Sequence, residues 1–257
     1  NMVPKPSGAW RFTCVFRALN ECCRKTDFQL PKIWDILARI GRSGSNYFSK
    51  IDLTQGFHQV PLTKDSRKYT SFRTFKGNFE YLRMAMGLKG APQYFQKVIS
   101  DIVADLHDIC EVYIDDILVH AKSEEDLIRN TERVLERLQD KALTANPRKT
   151  LIGLNKLEYL GLTLTKDRQV IVSEKRQEEL GKFEKPVRWR ALKSFLGIVN
   201  VFHKQVENCA NLCKKLNGLI GGYTRAKANY EVKWDDETSR AFETLKGRVQ
   251  AIPTTYL

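Results

Sequence analysis

The chain has 257 residues, 42% hydrophobic and 28% charged, which is enough apolar material for a sizeable core and too much for a disordered chain. Its 43 Lys and Arg against 30 Asp and Glu leave a formal charge of +13, which favours a polyanionic partner, nucleic acid before an anionic membrane. No apolar run approaches membrane-spanning length, the N-terminus lacks the order of a signal peptide, and the six cysteines form no disulfide framework, so a reducing, intracellular compartment is expected, cytoplasmic or nuclear. The start at Asn1-Met2-Val3-Pro4 reads as a cut inside a larger polypeptide.

In chain order, a basic, Pro/Gly-punctuated opening leads into a strand-like Trp10–Phe16 flanked by Arg11 and Arg17. Leu30-Pro31 opens a helix with Ile33, Ile36, Leu37 and Ile40 on one face and Gly41 as its stop. Tyr47 to Leu53 is strand-like around Asp52, and Gly56 permits a tight turn after it. Residues 69–83 alternate about Lys76-Gly77-Asn78, which predicts a hairpin. Pro92 suits the first turn of an amphipathic helix burying Phe95, Ile99, Ile102 and Leu106. Ser123, with Asp126 three residues on, caps a second long helix that buries Leu127, Val134, Leu135 and Leu138 and is broken by Asn146-Pro147. Leu157–Leu164 is a further hairpin candidate. Beyond residue 166 the pattern is mostly helical, over 174–183, 189–219 with a break, and 235–250. His203, Cys209 and Cys213 fit no zinc spacing and read as helix-packing residues.

The most informative stretch is Glu111 to His120, where β-branched residues surround Asp115-Asp116. Val112 to Val119 reads as two short strands with a tight turn at the two aspartates. Adjacent carboxylates repel, so a cation is expected to neutralise them, and a divalent metal such as magnesium fits. From these residues alone, an ordinary Asp-Asp turn remains the equal alternative. Asp52 ends an earlier strand, and an intervening helix packed behind the sheet could bring three carboxylates together. In a basic protein such a group suits two-metal phosphoryl transfer.

Tyr113-Ile114-Asp115-Asp116-Ile117-Leu118 resembles the central motif of reverse transcriptases, and the ordered series resembles the polymerase of gypsy-type LTR retrotransposons within a retroviral-like Pol polyprotein. Trp10-Arg11 with Arg17-Ala18-Leu19-Asn20, Phe48 to Leu53 with Gly56-Phe57-His58-Gln59, and Met86-Gly87-Leu88-Lys89 with Ala91-Pro92 carry the likeness through the first part. Asn146-Pro147-Arg148-Lys149, Tyr159-Leu160-Gly161, Lys193 to Gly197 and Trp234 extend it through the rest. Val15 stands where the family usually has an acidic residue, and Ala85-Met86 where relatives carry Pro-Phe or Pro-Gln.

The resemblance implies an α+β, right-hand polymerase palm with an antiparallel sheet, packed helices and partial fingers over residues 1–165. It implies a helical thumb and connection over 166–257, with RNase H absent from the chain and RNase H and integrase elsewhere in the parent polyprotein. The implied activity is RNA-directed DNA polymerase, adding deoxynucleoside triphosphates to a primer on an RNA or DNA template with two Mg2+ or Mn2+ ions. Asp52, Asp115 and Asp116, with the Leu53 carbonyl, would hold the metals, and Lys149 would protonate the leaving pyrophosphate. Lys5, Arg11, Gln55, Gly56, Phe57 and Met86 would contact the nucleotide, the Phe57 ring excluding a 2′-hydroxyl. Arg17, Gln93, Tyr94, Tyr113, Tyr159, Leu160, Gly161, Arg188 and Arg190 would contact template and primer. The alternative is a catalytically impaired fragment that binds nucleic acid.

Overall fold

The computed structural model describes residues 2–4, 8, 10–24, 27–167, 169–203, 205–224, 226–252 and 255–256. Internal contacts divide the chain into two compact units, Asn1–Asn155 and Lys156–Leu257.

In the first unit, β1 (Met2–Pro4) pairs with β2 (Trp10–Phe12), followed by α1 (Arg17–Cys22) and α2 (Ile33–Ser43). Then come β3 (Tyr47–Asp52), a 3-10 turn over Gly56–Gln59, α3 (Lys64–Arg67) and the hairpin β4 (Phe72–Thr74) with β5 (Gly77–Phe79). α4 (Ala91–Ile102), β6 (Cys110–Tyr113), β7 (Asp116–Ala121), α5 (Glu124–Asp140) and β8 (Leu151–Leu154) complete it. The central sheet is antiparallel, in the order β6-β7-β3-β8. Ile51, Ile117 and Val119 from the sheet bury against Phe95 and Ile99 of α4 and Leu127, Val134 and Leu138 of α5. These are the apolar positions that helical and strand periodicity select. Across the unit, Arg39 of α2 donates to both carboxylate oxygens of the buried Glu111 at 2.6 and 2.7 Å.

The second unit opens with β9 (Lys156–Tyr159), β10 (Leu162–Thr165) and β11 (Gln169–Val172), and continues with α6 (Glu174–Gly181), α7 (Trp189–Val201), α8 (Cys209–Gly218), α9 (Asp236–Gln250) and β12 (Thr255–Tyr256). Its sheet runs β12-β11-β10-β9. The division thus falls at 155, ahead of the expected 166, because β9 and β10 pair with β11. Cys209 and Cys213 lie one turn apart on α8 with sulfurs 3.7 Å apart.

Several ends fall differently from the sequence reading. α2 runs through the buried Gly41 and stops at Gly44, whose φ of 70° is the left-handed conformation glycine accepts without strain. α5 ends at Asp140, well before Asn146-Pro147; Leu143 N–H reaches back to Leu138 O (2.8 Å) around Ala142 at φ 54°, so backbone capping stops it first. Thr74 pairs with Gly77, which puts Phe75-Lys76 at the hairpin tip. The Ser123 cap forms as expected, its Oγ accepting from Asp126 N–H at 3.1 Å.

On β7, His120 is buried, with Nδ1 2.8 Å from Ser45 Oγ, while its Nε2 has no partner among the described residues. Burial lowers its pKa to about 4, against about 6.5 for an unfolded histidine. The folded state therefore favours the neutral ring. Its stability is full above pH ~6.5 and falls as the pH drops towards 4, by up to about 3 kcal/mol from this group. Urea midpoints at pH 7.5 and 4.5 should show that loss, and His120→Gln should flatten it; an unchanged slope would mean the ring carries no such cost.

Candidate active site

Alternate residues of β3 leave the same face of the sheet, so Lys50 and Asp52 emerge side by side. Asp52 pairs directly with Asp116 of β7, which brings two carboxylates together as cross-strand neighbours. Like charges in that position repel. Each instead meets a lysine: Lys50 Nζ lies 3.0 Å from Asp116 Oδ1, and Lys149 Nζ lies 3.5 Å from Asp52 Oδ2. Backbone bonds bring Lys149 there, since Asn146 N–H donates to Asp52 O at 2.7 Å and Lys149 N–H to Asn146 O at 3.1 Å.

Asp115 is the third carboxylate. Tyr113 pairs with Asp116, so the turn residues are Ile114 and Asp115, one position earlier than expected. Asp115 is half-buried, and its Oδ1 has no hydrogen-bond partner among the described residues. Burial raises its pKa, with Asp116 and then Asp52 adding to the rise, and Lys149 opposing it. Its close neighbour is the backbone of Gly56: a Cβ there would stand 2.8 Å from Phe95 Cζ and 2.9 Å from Asp115 Oδ1. Only a residue without a side chain fits between that ring and that carboxylate.

The hairpin turn is strained, because Ile114 is β-branched and has a φ of 54°. Gln96, a buried polar residue on the inner face of α4, holds it. Its Oε1 accepts from Ile114 N–H at 2.6 Å, and its Nε2 donates to Val112 O at 3.0 Å and Ser100 Oγ at 3.1 Å. Gln59 performs a similar task after β3, donating to Thr54 O (2.7 Å) and Thr144 O (3.0 Å) and accepting from Thr144 N–H (2.6 Å). Sequence reasoning missed Lys50 and Gln96 as site residues. The readable signals were a lysine two residues before a strand-end aspartate, and an amide on an apolar helix face.

The other expected residues divide by unit. In the first, Gln55 is exposed at φ 50°, Phe57 is half-buried with its ring 5.1 Å from that of Phe95, and Met86, Gln93 and Tyr113 are half-buried. Arg17, at the start of α1, and Tyr94, on α4, are exposed. Arg11 lies on β2, and Lys5 lies outside the described residues. In the second, Tyr159 is fully buried and Leu160-Gly161, at φ 55° and 79°, form the two-residue turn between β9 and β10. Arg188 and Arg190 are exposed at the start of α7.

Among the described residues no three His, Cys, Asp or Glu side chains are grouped so as to hold a metal as they stand. The donor set still fits one: hard carboxylate oxygens, one of them buried and unpartnered, on neighbouring positions of one hairpin and its partner strand.

The antiparallel sheet with helices packed on it, and acidic residues at the ends of its central strands, matches the palm and thumb architecture of foamy viral reverse transcriptase structures. Residues 3–164 match the model of the family described as reverse transcriptase (RNA-dependent DNA polymerase). The chain belongs to the reverse transcriptase family, in its retroviral type, related to the Pol polyproteins of LTR retrotransposons. It is 32% identical over 251 residues to the retrovirus-related Pol polyprotein from transposon opus of Drosophila melanogaster, covering 95% of this chain and 25% of that protein. It is 29% identical over 247 residues to the transposon Tf2-3 polyprotein of Schizosaccharomyces pombe, covering 95% of this chain and 18% of that one. A foamy viral protease-reverse transcriptase in complex with double-stranded DNA matches at a TM-score of 0.81 and 25% identity, over 100% of this chain and 44% of its own. The chain thus spans a quarter or less of those transposon polyproteins.

Proposed function

We propose that this chain is the polymerase part of a retrotransposon Pol polyprotein, and that it adds deoxynucleotides to a primer 3′-hydroxyl on an RNA or DNA template. The observation that carries the reading is Asp52 directly opposite Asp116, with Asp115 in the adjoining turn, in a chain of this family. Asp52, Asp115, Asp116 and the Leu53 carbonyl would hold Mg2+ or Mn2+, which when bound would supply activation of the attacking hydroxyl and neutralisation of the leaving phosphate.

The chain's own groups supply the rest. Lys149, beside Asp52, offers an ammonium that can give a proton or a charge to the leaving pyrophosphate. Phe57 would present its ring below the sugar; its ring packs 5.1 Å from that of Phe95. Lys5 and Arg11 would hold the triphosphate, with Gln55, Gly56 and Met86 around the nucleotide. Arg17, Gln93, Tyr94 and Tyr113 would face the template and primer, the Leu160-Gly161 turn the primer end, and Arg188 and Arg190 the duplex backbone. The +13 charge supports such a partner, as does the double-stranded DNA held by the foamy viral relative. An intracellular site of action, in the cytoplasm or nucleus, accords with this substrate. Among the described residues no helix is long and apolar enough to cross a membrane.

Extension of a labelled primer on RNA and DNA templates tests the proposal. A ladder of products that requires Mg2+ or Mn2+ and disappears with a chelator is expected, and primer–template binding should weaken steeply with salt. Salt-sensitive binding with no extension under either metal would replace it with the nucleic-acid-binding reading.

A further inference from the structure

The pairing of Lys50 with Asp116 joins a residue given no role of its own in the sequence reading to one of the three carboxylates. Lys50 leaves the same face of β3 as Asp52, and its ammonium crosses to β7 to sit 3.0 Å from Asp116 Oδ1. Both side chains are largely shielded, 22% and 27% exposed, so the pair is less screened than an open surface ion pair. The residue opposite Lys50 in the register is the buried Leu118, two residues along β7 from Asp116. Lys149 meets Asp52 at 3.5 Å with a much more exposed side chain, whereas Lys50 lies within β3.

We propose that Lys50 is a positioning residue that holds Asp116 in place and competes with divalent cations for its carboxylate. This rests on the metal-dependent polymerase reading. It implies that the protein binds cations more weakly than it would with the Asp116 carboxylate free.

The test is direct Mn2+ binding to the protein without nucleotide or nucleic acid, followed by the loss of the aqueous Mn2+ paramagnetic resonance signal. Lys50→Met should tighten Mn2+ binding roughly two- to fivefold, the range of one such ion pair, and Lys50→Arg should retain wild-type affinity. In an Asp116→Asn background Lys50→Met should have no effect, because Lys50 would have lost the group through which it acts. Lys50→Gln gives the same comparison if methionine disturbs the sheet, with thermal melts reporting folding. An unchanged affinity in Lys50→Met and Lys50→Gln would overturn the inference, as would an equal change with Asp116 already removed. A wild-type protein that binds no Mn2+ would overturn the metal-dependent reading, and the inference with it.

Discussion

Asp115→Asn is expected to abolish primer extension, by about a thousandfold or more, while raising the melting temperature. The first effect follows from losing a carboxylate where the ions would be held, since such charge stabilisation is worth several kcal/mol. The second follows from burial. Asp115 is partly desolvated beside Asp116 and Asp52, so its charged form is disfavoured in the folded chain. A carboxyl raised in this way supports folding most below the unfolded carboxylate range, near pH ~4, and that support is lost as the pH rises through the folded value. At neutral pH the ionised side chain is therefore a cost that a neutral amide removes. Primer–template affinity should be unchanged, because phosphate contacts elsewhere dominate it. Extension at the wild-type rate would remove Asp115 from the mechanism. A lower melting temperature with lost activity would make its role structural, because it would show that the carboxylate supports the fold.

The opposite signs expected for activity and stability mirror what was legible in the sequence. Periodicity placed α2, α4 and α5 and most of their buried faces, because Ile36, Phe95, Leu127 and their helical repeats answer to local geometry alone; Ile33, Ile102 and Leu135 are only half-buried, and Leu106 lies in a 3-10 turn beyond the end of α4. The strand ending at Asp52 was legible for the same reason. Ends set by backbone conformation were not. Gly41 and Gly44 are equivalent as letters, and only packing decides that the first is buried in the helix while the second turns left-handed. The turn was displaced by one residue because nothing local marks Ile114 for a positive φ; a β-branched residue argues against it. The strand–helix–strand order allowed Asp52 to meet the Asp115-Asp116 hairpin, but the pairing of Asp52 with Asp116 was not legible, since a cross-strand register joins residues distant in the chain. The lysine pairs that hold Asp52 and Asp116 depend on that same register.

Gln96→Leu should show how that unfavourable turn is maintained. The substitution keeps the approximate size of the side chain and removes three hydrogen bonds, to Ile114 N–H, Val112 O and Ser100 Oγ. The Ile114 amide and the Val112 carbonyl then lose their amide partner in a largely buried setting, at about 1–3 kcal/mol for each group left unsatisfied. Ile114 would also lose the contact that supports its φ of 54°, a conformation that itself costs roughly 1–3 kcal/mol. We expect a total loss of about 2–4 kcal/mol in unfolding free energy. Extension should fall further than stability alone explains, because Asp115 is the next residue and its direction is set by the turn. Adding Ile114→Gly should separate the two effects. Glycine takes the positive φ without strain, so the double variant should regain part of the stability. It should not regain the rate, since the amide that aims the turn is still missing. Recovery of both would show that Gln96 serves the fold alone. A Gln96→Leu protein with unchanged stability and rate would mean that the turn holds its conformation without it.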